Sequence, residues 1–157
     1  MNTALHFSSD RQDWGTPPDF FARADRSWGP FDLDVCATTD NARCARYFSP
    51  DDDGLARPWS GRCWMNPPYG RAVPAWLAKA VAEAESGNAL LVAALIASRT
   101  GASWWHSYVM RPGNTVLFIQ GRLKFEGAPS SAPFDSALVI ITGEQRPLRF
   151  GSMKARV

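Results

Sequence analysis

The sequence predicts an α/β fold: a mostly parallel sheet with helices on both faces and an antiparallel hairpin at one edge. Three observations carry that reading. Ala89 to Ala97 is an unbroken apolar run bounded by turn residues, as expected of a strand buried on both faces of a parallel sheet. Before it, from Pro74, the residues Trp76, Leu77, Ala80, Val81 and Ala84 share one helical face until Gly87-Asn88, and Arg62 to Met65 reads as a strand ahead of that helix. The order is therefore strand, crossover helix, strand. Finally, Thr115 to Ile119, Leu123 to Phe125 after a turn at Gly121, and Ser136 to Thr142 read as strands lying too near one another for helical crossovers, which predicts antiparallel pairing.

The remaining elements follow from local signals. Thr16 is placed to cap a helix whose first turn holds Pro17 and Pro18, with Asp19 completing a capping-box-like pattern. Phe20, Phe21, Ala24 and Trp28 recur at helical spacing until Gly29-Pro30 stops the run. Phe31 to Val35 is a short first strand carrying Asp34 near its C-terminal end, Asp51-Asp52-Asp53-Gly54 is a turn, and Trp105, Tyr108 and Val109 mark a further helix.

A chain of 157 residues with 45% hydrophobic content has an adequate core for one domain, predicted over residues 14–157 behind an N-terminal arm at residues 1–13. No apolar stretch approaches the roughly 18 residues of a membrane-spanning helix, and Met1 to Asp10 lacks the basic start and apolar middle of a signal peptide. The expectation is a cytoplasmic protein with reduced thiols and no membrane partner. Cys36, Cys44 and Cys63 have no C-x-x-C spacing, so neither a disulfide framework nor a metal site is predicted; small buried residues are. A net charge of +2 is compatible with a nucleic-acid partner where Arg and Lys gather on one face. Most of the seven Trp and nine Phe are assigned to the core. Neither His6 nor His106 has a triad or metal partner in sequence, and G-x-S-x-G and phosphate-binding Walker loops are absent, which disfavours a serine hydrolase or a nucleotide hydrolase.

The segment that carries chemistry is Asn66-Pro67-Pro68-Tyr69, directly after Trp64-Met65. Two prolines remove two backbone donors, so nearby carbonyls can point into a cavity without entering a sheet ladder. Asn66 adds a side-chain acceptor and Tyr69 a flat face. Together they suit a planar amino group such as the exocyclic amine of a nucleobase. Asp34 and Asn66 both sit at C-terminal strand ends, where open α/β sheets bind ligands. Arg99 follows a buried strand and is placed to meet a phosphate or a surface carboxylate. Arg122 and Lys124 alternate with Leu123 and Phe125, which puts both charges on one face, either to track a nucleic-acid backbone or to protect an exposed edge.

The tetrapeptide resembles the catalytic segment of S-adenosylmethionine-dependent amino-methyltransferases. Trp14-Gly15-Thr16-Pro17-Pro18, Phe31 to Ala37, Tyr47 to Leu55 and Gly121-Arg122-Leu123-Lys124-Phe125 resemble, in that order, the phage-type DNA N6-adenine methyltransferase family from about Trp14 to Thr142. The resemblance implies a Rossmann-like methyltransferase domain that acts on adenine N6 in DNA within a bacterial host cell, and the length of the chain predicts no separate target-recognition domain. It assigns Asn66, Pro67, Pro68 and Tyr69 to catalysis. It assigns Trp14, Thr16, Pro17, Asp34, Cys36, Ala37 and Asp53 to S-adenosylmethionine, and it makes DNA the partner of Arg99, Arg122 and Lys124. The glycine-rich F-x-G-x-G often seen after the first strand of such methyltransferases is replaced here by Asp34-Val35-Cys36-Ala37, which fits a phage-type branch in which small residues, here Cys36 and Ala37, permit close approach instead. The ribose partner is unassigned, with Asp51 to Asp53 nearest. RNA adenine and protein glutamine are alternative acceptors, and a catalytically silent nucleic-acid-binding module is the alternative of a different class.

Overall fold

The computed structural model describes residues 14–157; the arm expected at residues 1–13 lies outside them. Among the described residues the strands are β1 (Leu33–Asp34), β2 (Arg46–Tyr47), β3 (Gly61–Met65), β4 (Ala89–Ala97), β5 (Thr115–Gln120), β6 (Ser136–Ile141) and β7 (Arg149–Lys154). They form one sheet in the order β2-β1-β3-β4-β6-β5-β7. The helices are α1 (Pro18–Trp28) and α2 (Val73–Glu85), and where a further helix is predicted there is one π-helical turn, Trp105–Val109.

Strands β2, β1, β3 and β4 pair in parallel, as do β5 and β7, while β6 runs antiparallel to both β4 and β5. The sheet is thus mostly parallel, as predicted, but its antiparallel pairing lies inside rather than at an edge. The reason is the long connection 121–135, which lets β6 insert between β4 and β5 and leaves β7 at the rim. Leu123 to Phe125 is not a strand. Its alternation is real, with Leu123 and Phe125 buried and Arg122 and Lys124 exposed, yet the carbonyls of Leu123 and Phe125 accept from Ala132 and Ala128 within the same loop.

Successive side chains of a strand point to opposite faces, and the two core layers follow that rule. On one face Cys63, Met65, Val92, Ala94 and Ile96 pack with Trp76, Leu77 and Ala80 of α2. On the other, Trp64, Ala93 and Leu95 pack with Phe20 and Ala24 of α1. β4 contributes side chains to both core layers, which explains why its sequence is apolar without alternating. Most aromatic residues do belong to the core, with Trp59, Trp64 and Trp105 fully buried. Cys63 is buried, whereas Cys36 and Cys44 are only partly so, and all three are free thiols. No described helix is long and apolar enough to cross a membrane.

Candidate functional site at the strand ends

Strand order reverses between β1 and β3, because β2 lies outside β1 on one side while β3 and β4 continue on the other. Crevices open at such reversals, beyond the carboxyl ends of the strands. Asp34 ends β1 in register with Trp64 of β3, so Asn66, two residues further on, projects from the neighbouring strand end. A cavity of about 180 Å³ opens between them, lined by Trp14, Gly15 and Thr16 on one side, Cys36, Ala37 and Phe48 on another, and Asp53, Gly54, Asn66 and Pro68. Gly54 is required at its position, since a Cβ there would stand 2.3 Å from the Val35 carbonyl oxygen and 3.1 Å from the Trp76 ring. That close approach seats the turn carrying Asp53 against β1.

Asp34 is 3% exposed, and its carboxylate accepts from the backbone N–H groups of Arg43 at 3.0 Å and Cys36 at 3.4 Å. Burial pushes its pKa up to about 6, against the opposing pull of those two hydrogen bonds and the Arg43 charge. A carboxylate held this way is poised to accept a cation. Cys36, beside it, has its thiol pushed up to about 12 by burial and by the Asp34 charge, so it serves as a small neutral wall.

The segment Trp14–Pro17 crosses the cavity as a strap, and each of its carbonyls is held by a different part of the chain. Trp14 O accepts from Asn66 Nδ2 at 2.8 Å, and Gly15 O accepts from the Glu126 backbone N–H at 2.9 Å. Thr16 O accepts from Arg43 Nε at 3.0 Å and Nη2 at 2.6 Å, and Pro17 O from the Phe21 N–H at 3.0 Å. Thr16 does not cap α1. The helix starts one residue later than a Thr cap requires, with Pro17 at the cap position, and the Thr16 hydroxyl instead accepts from Trp64 Nε1 at 3.2 Å.

Of the residues predicted to hold a cofactor, Trp14, Thr16, Asp34, Cys36, Ala37 and Asp53 line the cavity, and Pro17 sits behind it at the start of α1. Of the tetrapeptide, Asn66 and Pro68 line the cavity, and Pro67 is buried. Asn66 is half-buried, and its Oδ1 accepts from the Tyr69 hydroxyl at 3.2 Å. The Tyr69 ring lies 5.4 Å from Phe125, edge to face, and 5.1 Å from Phe134, and burial raises its hydroxyl pKa well above the ordinary value. Arg99 stands apart, in an open recess at the end of β4 that has Phe134 in its wall. Arg122 and Lys124 lie on the 121–135 loop, Arg122 3.5 Å from the Asp135 carboxylate. Sequence reasoning missed Arg43, Glu126, Phe48 and Phe134. The partners of Arg43, Thr16 and Glu126, are 27 and 83 residues away, so no local spacing marks it.

The chain is an α/β domain in which a buried carboxylate and an Asn-Pro-Pro-Tyr segment share one crevice at the carboxyl ends of the parallel strands. The chain belongs to the DNA N-6-adenine-methyltransferase (Dam) family, whose model matches residues 4–154. It is 30% identical over 113 residues to a DNA N-6-adenine-methyltransferase of Haemophilus phage HP1, covering 71% of this chain and 64% of that one. It is 24% identical over 149 residues to a DNA N-6-adenine-methyltransferase of Escherichia phage T1, covering 94% of this chain and 61% of the phage protein. The chain therefore spans a little under two thirds of each of these relatives. Among solved structures it is similar to one described as a predicted O-methyltransferase from Agrobacterium tumefaciens, at 19% identity and a TM-score of 0.42, covering 87% of this chain and 64% of that one.

Proposed function

We propose that this domain transfers a methyl group from S-adenosylmethionine to the N6 amino group of adenine in DNA. The observation that carries the reading is the convergence of Asp34 and the Asn66–Tyr69 segment on one strand-end cavity in a chain of this family. The cavity suits the cofactor: Asp34 offers a buried anion for its ammonium, and Cys36, Ala37 and Phe48 offer a largely apolar wall. Trp14, Thr16 and Asp53 complete that side, Asp53 as an acceptor for the adenine amine and Pro17 as the anchor of the strap. When bound, S-adenosylmethionine supplies an electrophilic methyl group.

The chain's own residues act on the acceptor. Adenine N6 is a poor nucleophile because its lone pair is delocalised into the ring. Asn66 Oδ1 and the Pro67 carbonyl accept hydrogen bonds from its two N–H groups, which favours a pyramidal nitrogen and fixes its direction; one N6 proton leaves to solvent after transfer. Pro68 keeps the backbone of this segment free of competing donors. Tyr69 and its aromatic neighbours receive a base flipped from the duplex, offsetting part of the few kcal/mol of unstacking. Arg99, Arg122 and Lys124 contact phosphates, and the loops at residues 70–73 and 126–135 face the bases.

Incubating the purified protein with methyl-labelled S-adenosylmethionine and, in parallel, duplex DNA, RNA or a glutamine-containing protein, then separating the digested products by mass, tests the reading. Label in N6-methyldeoxyadenosine is expected. Unmodified DNA beside labelled RNA adenine or glutamine would remove DNA as the acceptor, and cofactor or DNA binding without transfer to any of them would make the domain a binding module.

A further inference from the structure

The Asn66 amide has two chemically different ends of nearly equal shape, and only one of them can receive an amino group. Its Nδ2 donates to Trp14 O, and a backbone carbonyl can only accept, so the strap dictates which end of the amide faces which way. Reversed, the amide would oppose a donor to an incoming N–H. Oδ1 accepts one hydrogen bond, from Tyr69, and keeps a second lone pair for another. Whatever fixes the strap therefore fixes the acceptor geometry.

Two side chains outside the tetrapeptide fix it. Arg43 grips Thr16 O through Nε and Nη2, and Nη2 also donates to Glu126 Oε2 at 2.7 Å. Glu126 belongs to the same loop as Arg122 and Lys124, and its backbone forms an isolated β-bridge with Gly15. The Arg43 side chain is 16% exposed and that of Glu126 46%, so the pair is sheltered on the arginine side and open on the other. We propose that Arg43 and Glu126 are positioning residues: they clasp the strap between the cavity and the 121–135 loop, and through Trp14 O they hold Asn66 Oδ1 toward the acceptor amine. The role rests on the function proposed above. It links the two substrates physically, because one strap both lines the cofactor side of the cavity and orients the acceptor amide.

The test separates orientation of Asn66 from mere closure over the cofactor. Arg43→Ala should lower kcat by about 100-fold at saturating S-adenosylmethionine and DNA, as expected when a reacting group is displaced by about an ångström. Arg43→Lys, which keeps the charge but offers one donor nitrogen in place of two, should recover part of it. Glu126→Ala removes a half-exposed group, so it decides the matter where Arg43→Ala does not fold, and about a 10-fold loss of kcat is expected from one charge-assisted bond. The side-chain amide resonances of Asn66, identified by their disappearance in Asn66→Ala, should shift in both latch variants without any substrate present. Wild-type kcat at saturation, with only the KM for S-adenosylmethionine raised, would reduce the pair to a cofactor lid and overturn the proposal, as would unmoved Asn66 resonances. If the wild-type protein methylates no adenine while the resonances still shift, the functional reading fails and the latch stands.

Discussion

The two sides of the site are built differently. At the ends of β1 and β3 nearly every polar group is committed: Asp34 holds two backbone N–H groups, Asn66 holds Trp14 and Tyr69, and the strap carbonyls are all bonded. On the 121–135 loop the charges of Arg122 and Lys124 stand in solvent, and the Arg122 contact with Asp135 is a long, exposed ion pair of the kind that contributes little. The first side is preorganised for one geometry, which is what positioning a small reacting group demands. The second provides charge without fixed direction, which suits a polyanion whose contacts are made with water and salt competing.

Breaking the committed side should have the largest effect. Asn66→Ala should reduce methyl transfer by about 100-fold or more, measured as kcat at saturating substrates, since it removes a preorganised acceptor. Because Asn66 also ties Trp14, a small loss of cofactor affinity should accompany it, while the thermal midpoint stays close to that of the wild type. Near-normal turnover would end the assignment.

Asp34→Asn comes next, with S-adenosylmethionine binding weakened about 10- to 100-fold by calorimetry as a charge-assisted bond is lost. The sign of its pH dependence follows from its raised pKa. Below about 6 the folded carboxyl takes up a proton, so wild-type cofactor affinity should fall as pH drops from neutral through 6, whereas Asp34→Asn should be flat over that range. Stability of the ligand-free protein should move the opposite way. The neutral form favoured by burial contributes fully below the ordinary value of 3.8, and that contribution is lost as pH rises through about 6. A flat affinity profile in the wild type would remove Asp34 from cation binding.

On the solvated side, replacing Arg122 and Lys124 together with Ala should weaken DNA binding several-fold to every sequence alike and flatten the slope of log K against log salt by roughly 0.9 per lost contact. An unchanged slope, or an altered methylated sequence at unchanged affinity, would return both residues to edge protection. The smallest effect is expected for Tyr69→Phe, which keeps the ring against Phe125 and Phe134 but removes the hydroxyl from Asn66 Oδ1. About a 3-fold fall in kcat corresponds to one neutral hydrogen bond. A loss as large as that of Asn66→Ala would mean that Tyr69, rather than Trp14, sets the amide.

The parts legible in sequence were those whose cause is local. Ala89–Ala97 is a strand because continuous apolarity needs no partner to be recognised, and Asn66-Pro67-Pro68-Tyr69 declares itself through its prolines. What escaped depends on distant pairing. β2 is two residues long, and β7 carries an exposed, mixed face at the sheet rim, so neither has a periodic signal. Leu123 to Phe125 has the alternation of a strand without the ladder, since its carbonyls are satisfied inside its own loop. Arg43 is one of many arginines until the fold brings Thr16 and Glu126 to it.

The reversal of β6 has a consequence for redesign. Because β6 alone runs against its neighbours, its beginning rather than its end meets the site, and the 121–135 loop leaves and re-enters the sheet on adjacent strands, with Phe118 paired to Ala137. Adjacent strands lie about 4.8 Å apart, so the loop's two stems are fixed close together whatever lies between them. The segment can therefore be exchanged only in part: a foreign loop that keeps a Glu for Arg43 and the buried Leu123, Phe125, Ala128 and Ala132 can be grafted between these stems while β4, β5 and the crevice stay as they are.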